Sequence, residues 1–452
     1  MKHRDLTRVL IIKNTLTSRW PQLLARGAAL GVFLLIILSG LLGTPVGNKN
    51  LSIVLVWIAW WAALILVLVP FLGRAWCSVC PLPLPGEWLQ QGTLLGPQES
   101  KQGLEKGLRW PRKLRNIWLQ NSMFLVMTTF SAVILIRPAV TAWLLLGLIL
   151  VAAGISLLFR RRAFCRYVCP VGGFIGLYSQ VAPLELRVRD PAVCRDHTQK
   201  TCITGSDEGY GCPWNVYPGG LTSNTNCGLC MECLRTCTRD NIAFNLRKMG
   251  GDLAQPRQGR LDQAFKALIM LGSALAYTAI MLGPWAGLKE AAFALGSLQW
   301  WIFIGSFLAV VLVLMPGLFY AAARLARSLS PEPGPVRETF NAYAAALIPL
   351  GLSAWAAFSL SLLFSSGSYV WPALSDPLGW GWDLFGTAGL TWSPYLSGLA
   401  STLQAGLGLV GLLGAGRSVE NIRRDPRTPR ESWPVHLFCF LITIGLLWLL
   451  IG

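Results

Sequence analysis

Long apolar runs separated by short polar connections set the pattern of this chain. Each run approaches or exceeds the roughly 20 residues that carry a helix across the hydrocarbon core of a bilayer. They predict spans at residues 22–44, 51–72, 117–136, 139–159, 262–284, 298–320, 339–365, 396–415 and 433–451. The first run is too long for a cleavable signal and no small-residue cleavage site follows it, so it reads as an anchor. Between spans four and five the pattern gives way to a cysteine-rich stretch. The expected organisation is a four-helix membrane core over 1–183, an insert over 184–255 and a five-helix region over 256–452.

Composition agrees with the pattern. Of 452 residues, 53% are hydrophobic and only 13% charged, more apolar side chain than a soluble core hides. A net charge of +18 would suit nucleic acid, but its placement is that of a topology signal. Lys2, Arg4, Arg8, Lys13 and Arg19 precede the first span, Lys101, Lys106, Arg109, Arg112, Lys113 and Arg115 separate the second and third, and Arg160–Arg162 follow the fourth. Arg324, Arg327 and Arg337 lie between spans six and seven, and Arg417, Arg423, Arg424, Arg427 and Arg430 between eight and nine. Lys49, Arg137 and Lys289 are the only bases in the alternate connections. By the positive-inside rule the N-terminus and the insert are cytoplasmic and the C-terminus extracytoplasmic, in the inner membrane. Nucleic-acid binding is disfavoured.

Cys227, Cys230, Cys233 and Cys237 spell C-x2-C-x2-C-x3-C, a spacing in which one tight loop offers three thiolates to an iron-sulfur cube while the fourth reaches elsewhere. A zinc site usually takes two separated C-x2-C pairs or histidines. A disulfide framework belongs to small secreted chains, and a cytoplasmic location keeps thiols reduced. Two further pairs form an internal repeat. Arg74-Ala75-Trp76-Cys77-Ser78-Val79-Cys80-Pro81 parallels Arg162-Ala163-Phe164-Cys165-Arg166-Tyr167-Val168-Cys169-Pro170, each directly after a membrane hairpin. Both pairs emerge at one membrane face, so Cys77, Cys80, Cys165 and Cys169 are expected to meet as a third cluster, a metal site or a redox-active dithiol array. Cys439, alone in an apolar helix, reads as a packed hydrophobe.

With its two helix-end C-P motifs and its cysteine-rich run, the chain resembles the membrane ferredoxins over about residues 51–250. These include the quinol-oxidising membrane subunit of periplasmic nitrate reductase systems, the membrane electron donor of nitrous-oxide reductase and the cytochrome-oxidase accessory ferredoxin implicated in copper handling. The resemblance implies a ferredoxin-like two-cluster insert, and the chain departs from it in three places. The first helix-end motif is one residue short, Thr238 stands where a proline follows the last cluster cysteine, and the first run is spread out as Cys194, Cys202 and Cys212. In two-cluster ferredoxins the fourth cysteine of each run serves the other cube. Cys212, before Pro213, then completes a 4Fe-4S site with Cys227, Cys230 and Cys233, and Cys237 joins Cys194 and Cys202 in a second. Residues 184–250 hold seven cysteines where two cubes need eight ligands. His197 is the candidate for the vacancy, since Cys194-x2-His197 repeats the spacing and imidazole can replace thiolate on iron. The alternatives are Asp196, Asp207 or Glu208, a three-iron cluster, or no second cluster.

Haem is disfavoured by the lack of paired span histidines and of C-x-x-C-H, and no nucleotide-binding G-x-G-x-x-G follows a strand-like run. A quinone pocket near the cytoplasmic interface, with His436 or an arginine as donor, is a candidate, against the reading of His436 as an interfacial anchor. The 366–391 loop, with Trp371, Trp380 and Trp382, reads mainly as an aromatic belt, and secondarily as a docking surface for an extracytoplasmic redox protein. The expected function is an electron conduit between the clusters and quinone or a membrane redox subunit, a redox component rather than a stand-alone enzyme. The alternatives are a copper-handling or assembly factor and a redox-sensing solute transporter.

Overall fold

A computed structural model describes residues 3–93, 96–97, 107–254, 259–330, 334–422 and 429–451. Lys2, Lys101, Lys106, Arg423, Arg424, Arg427 and the expected boundary at 255–256 lie outside the described residues. The protein is mostly helical, and among the described residues eight helices are long and apolar enough to cross a membrane. They are Trp20–Leu42, Leu51–Leu72, Pro138–Leu158, Leu261–Met281, Leu298–Ser328, Val336–Ser375, Gly398–Ile422 and Trp433–Ile451.

The expected span at 117–136 is instead two helices, Trp118–Thr129 and Ser131–Ile134, interrupted at Phe130. The break has a local cause. The hydroxyls of Thr128 and Thr129 both donate to the carbonyl of Leu125, at 2.9 and 2.8 Å, and back-bonding of this kind competes with the helical ladder. Within Leu51–Leu72, Pro70 lacks the N–H that a regular turn requires, and the helix runs there as a wide π-turn segment, Leu64–Leu72.

The chain forms two compact units interleaved in sequence: residues 1–38, 67–120 and 142–252 make the first, and residues 39–66, 121–141 and 253–452 the second. The second unit is helical and packs around Trp355, which is 2% exposed. Its indole donates to the carbonyl of Met270 at 3.0 Å, and the rings of Trp61 and Tyr277 lie 5.6 and 5.5 Å away. Trp371, Trp380 and Trp382 are exposed. His436 contacts the carbonyl of Ser432 at 3.0 Å and Glu420 at 3.6 Å.

The first unit contains eleven of the twelve cysteines and a three-stranded antiparallel sheet in the order Arg4–Asp5, Ile242–Leu246, Leu184–Val188. Alternation fixes its faces. Leu186, Ile242 and Phe244 enter a core with Leu229, Met231 and Leu234, each such side chain contributing about 1.5–3 kcal/mol on burial. From the intervening positions Glu185 and Arg187 join a buried ionic lattice: Glu185 to Arg247 at 2.8 Å, and Asp252 to Arg187 at 3.0 Å and to Arg247 at 2.5 Å. Bases expected to mark topology also do structural work here. Lys13 pairs with Asp240 at 2.9 Å, and the helix Leu10–Thr17 receives the Arg235 guanidinium on the carbonyl of Thr17 at 2.8 Å.

Candidate metal centres

The segment from Cys227 to Cys233 is curled by two non-glycine residues in the left-handed region, Leu229 (φ 47°) and Met231 (φ 62°). Such conformations cost on the order of 1 kcal/mol or more each and persist where surrounding structure enforces them. A short helix, Glu232–Thr236, follows and delivers Cys237 at its C-terminal cap. Gly228 passes so close to Trp214 that a Cβ there would lie 2.1 Å from the indole nitrogen. Cys212, Cys227, Cys230 and Cys233 line one cavity, together with Trp214 and Leu186. Burial pushes the Cys227 thiol up to about 11 and the Cys230 thiol up to about 12, with Cys212 adding to both, and raises Cys233 further. Buried thiols of this kind ionise only against a compensating cation, so the cavity and its donor set fit an iron-sulfur core.

Cys194, Cys202 and Cys237 form a second group. Burial raises the Cys202 thiol to about 11, and Cys237, Cys194 and Cys212 reinforce it. Asn241 ties two of the three together: its side-chain amide donates to the Cys194 sulfur at 3.3 Å and its backbone N–H to the Cys237 sulfur at 3.4 Å. Cys212 likewise accepts from the N–H four residues on, Val216, at 3.4 Å. The two cysteines that end the two runs thus share a local geometry despite Thr238. His197 caps the helix Pro191–Asp196 in an extended conformation. It is half-buried, and among the described residues its side chain makes no hydrogen bond or ion pair. Asp196, Asp207 and Glu208 are exposed.

The four cysteines of the helix-end repeat lie within electrostatic reach of one another. Cys77 lies in the short helix Trp76–Val79, Cys165 in Ala163–Tyr167, and Cys169 caps Pro170–Tyr178 by accepting the Gly172 N–H at 3.2 Å. Burial raises Cys80, with Cys77 and Cys169 adding to it. It also raises Cys165, against the pull of Arg162 and with Cys169, Cys80 and Cys77 adding, and it lifts Cys169 to about 11, with Cys77 contributing. Among the described residues no three His, Cys, Asp or Glu side chains gather tightly enough for a single metal ion; a cubane spreads its thiolates over four irons and needs no such convergence.

The arginines that open each repeat, quoted above only as part of a motif, are both 3% exposed. Arg162 donates to the Cys77 carbonyl at 2.8 Å and pairs with both carboxylate oxygens of Glu87, one at 2.9 Å. Burial works against ionisation of Glu87, but Arg162 outweighs it and holds the carboxyl below its ordinary value. Arg74 donates to the carbonyl of Thr225 and lies over the Trp214 ring, 4.2 Å from its centroid. Nothing in the spacing marks Trp214 or Glu87; a buried arginine three residues before each first cysteine was the available signal.

Comparison with known proteins bears on the repeat. The family described as 4Fe-4S binding domain matches residues 53–101 and 141–189. Two segments of this chain, which has eight candidate membrane spans among its described residues, are thus similar to a 4Fe-4S binding domain. The two matches contain the two helix-end motifs, and the cysteines from Cys194 to Cys237 lie outside both. The chain is 27% identical over 136 residues to YccM of Escherichia coli, a protein to which electron transport is ascribed, covering 29% of this chain and 35% of that one. It is 26% identical over 125 residues to the uncharacterised protein MJ0749 of Methanocaldococcus jannaschii, covering 27% of this chain and 45% of that one. To MJ0750 of the same organism it is 26% identical over 83 residues, 18% of this chain and 31% of that one. The chain thus spans less than half the length of each relative. No solved structure matches it.

Proposed function

We propose that this protein is a membrane electron relay with three iron-sulfur centres. Cys212, Cys227, Cys230 and Cys233 hold one 4Fe-4S cluster, Cys194, Cys202 and Cys237 hold a second with His197 in the fourth position, and Cys77, Cys80, Cys165 and Cys169 hold a third. The observation that supports the reading is the shared cavity of Cys212, Cys227, Cys230 and Cys233, in a compact unit that also contains the other seven of its eleven cysteines. The family matches over both helix-end motifs favour a cluster there over copper, and the name of the Escherichia coli relative supports electron transport.

Clusters of this type, when bound, supply one-electron chemistry at a potential set by charge, hydrogen bonds to sulfur and exposure. The residues of this chain do the tuning. Asn241, Val216 and Gly172 donate N–H groups to cysteine sulfurs, which favours the reduced, more negative state. Trp214, Leu186 and Met231 keep water from the Cys227 cavity. A polar cleft bordered by Arg19, Arg26, Trp88, Tyr210 and Glu232 has Cys230 on its wall and is the entry we assign to quinone or to a membrane redox subunit. Anaerobic purification with iron, sulfide and copper analysis and paramagnetic resonance of the reduced protein tests the proposal. About twelve irons per chain and three reducible signals are expected; stoichiometric copper with fewer irons would favour a copper-handling factor instead.

A further inference from the structure

The four cysteines of the helix-end repeat and the four around the Cys227 cavity share a neighbour. Arg74 is 3% exposed, and its guanidinium spends one nitrogen on the Thr225 carbonyl. Among the described residues its buried Nε and Nη2 have no hydrogen-bond partner, and neither has the Nε1 of Trp214, the indole on which it stacks. Buried donors left without acceptors cost about 1–3 kcal/mol each, more for a charged group, so two such side chains in contact call for an anion beside them. The neighbours supply one on each side. Arg74 stands three residues before Cys77 and packs on the helix Pro170–Tyr178 that Cys169 caps, where a Cβ on Gly176 would lie 2.6 Å from its Nη1, and its partner Thr225 is two residues before Cys227. Trp214 is itself part of the wall of the Cys227 cavity.

We infer that Arg74, stacked on Trp214, is the shared counter-ion of two iron-sulfur centres, donating its free N–H groups toward the sulfurs of both and raising both potentials. The inference rests on the proposal that each of these cysteine sets holds a cluster. The exchange it assists is of a single electron: one centre is oxidised by one electron as the other is reduced by one, no bond forms or breaks, and the guanidinium keeps its proton. Arg74 is a positioning residue; it holds one positive charge where either centre, when reduced, gains from it.

The test is a redox titration monitored by paramagnetic resonance on the full chain, purified anaerobically, with the two signals assigned by their loss in Cys230→Ser and in Cys169→Ser. Arg74→Gln, which removes the charge, is expected to lower both midpoints, each by at least the 59 mV that corresponds to a tenfold weaker reduction equilibrium for one electron. Arg74→Lys is expected to restore most of the loss in both. Trp214→Phe, which removes only the indole donor, lowers the Cys227-set midpoint and leaves the other in place. Unchanged midpoints in Arg74→Gln at wild-type iron content, or a shift in only one of them, overturn the inference. If Arg74→Gln fails to load iron, an unshifted midpoint in Trp214→Phe overturns it instead. A wild-type protein with no signal lost in Cys230→Ser or Cys169→Ser refutes the cluster assignment first, which separates the two failures.

Discussion

Gly228→Ala isolates the close approach that shapes the Cys227 cavity. A Cβ at this position would lie 2.1 Å from the Trp214 indole nitrogen, where ordinary contact begins at 3.4 Å, so something must move by about 1.3 Å. The backbone at Gly228 is not left-handed, so the added methyl meets no conformational penalty and the effect is steric. Trp214 is 2% exposed and stacked against Arg74, so it has little room to swing clear. Overpacking of this kind costs about 1–3 kcal/mol, and a ligand shell tolerates only about 0.5 Å of displacement. The displaced atoms belong either to Cys227, one residue away, or to the indole on the cavity wall. The expected result is a protein that inserts normally but loses about four irons per chain and the signal that Cys230→Ser also removes, with a lower thermal midpoint in detergent. Gly228→Ala combined with Trp214→Leu should recover part of the iron, because the smaller side chain yields the space. Full iron loading and an unchanged spectrum in Gly228→Ala alone would refute the reasoning.

Three further outcomes are expected. Cys80→Ser and Cys169→Ser should each remove the same iron and the same signal, and the double variant should be no worse than either; additive partial losses in iron content would mean the two motifs are separate sites. His197→Ala should shift the spectrum of the cluster held by Cys194, Cys202 and Cys237 and leave the other two unchanged, and an identical spectrum would exclude imidazole ligation. Reporter fusions after Leu246 and after Ser368 should fall on opposite sides of the membrane, since the bases alternate between connections; both on one side would overturn the assigned topology.

Hydropathy alone located the membrane helices well, because a bilayer demands length and apolarity and little else. It could not foresee the break at Phe130, which depends on where Thr128 and Thr129 send their hydroxyls. Cysteine spacing marked Cys227, Cys230 and Cys233, a loop whose ligands are local in sequence. That Cys212 lines the same cavity followed from the behaviour of two-cluster ferredoxins rather than from its own neighbours. Arg74, Arg162 and Trp214 act across 75 to 151 positions through burial, hydrogen bonds and stacking, and no local pattern records such pairings. The N-terminal strand was invisible for the same reason: Arg4–Asp5 has no apolar alternation and is a strand only because Leu246 and Asn245 pair with it.

That pairing has a bearing on biogenesis. Asp5 is made early, and its partner Asn245 comes 240 residues later. At about 5–20 residues per second of synthesis, the N-terminal edge waits roughly 12 to 48 s for its mate, while the first apolar runs are handed to the membrane. Metal loading of the Cys227 cavity is equally late, because its last thiol, Cys233, emerges only shortly before the closing strand Ile242–Leu246. A bulky fusion placed before Arg4 would therefore obstruct the final step of maturation rather than the first, leaving a chain that is correctly inserted, abundant and poor in iron.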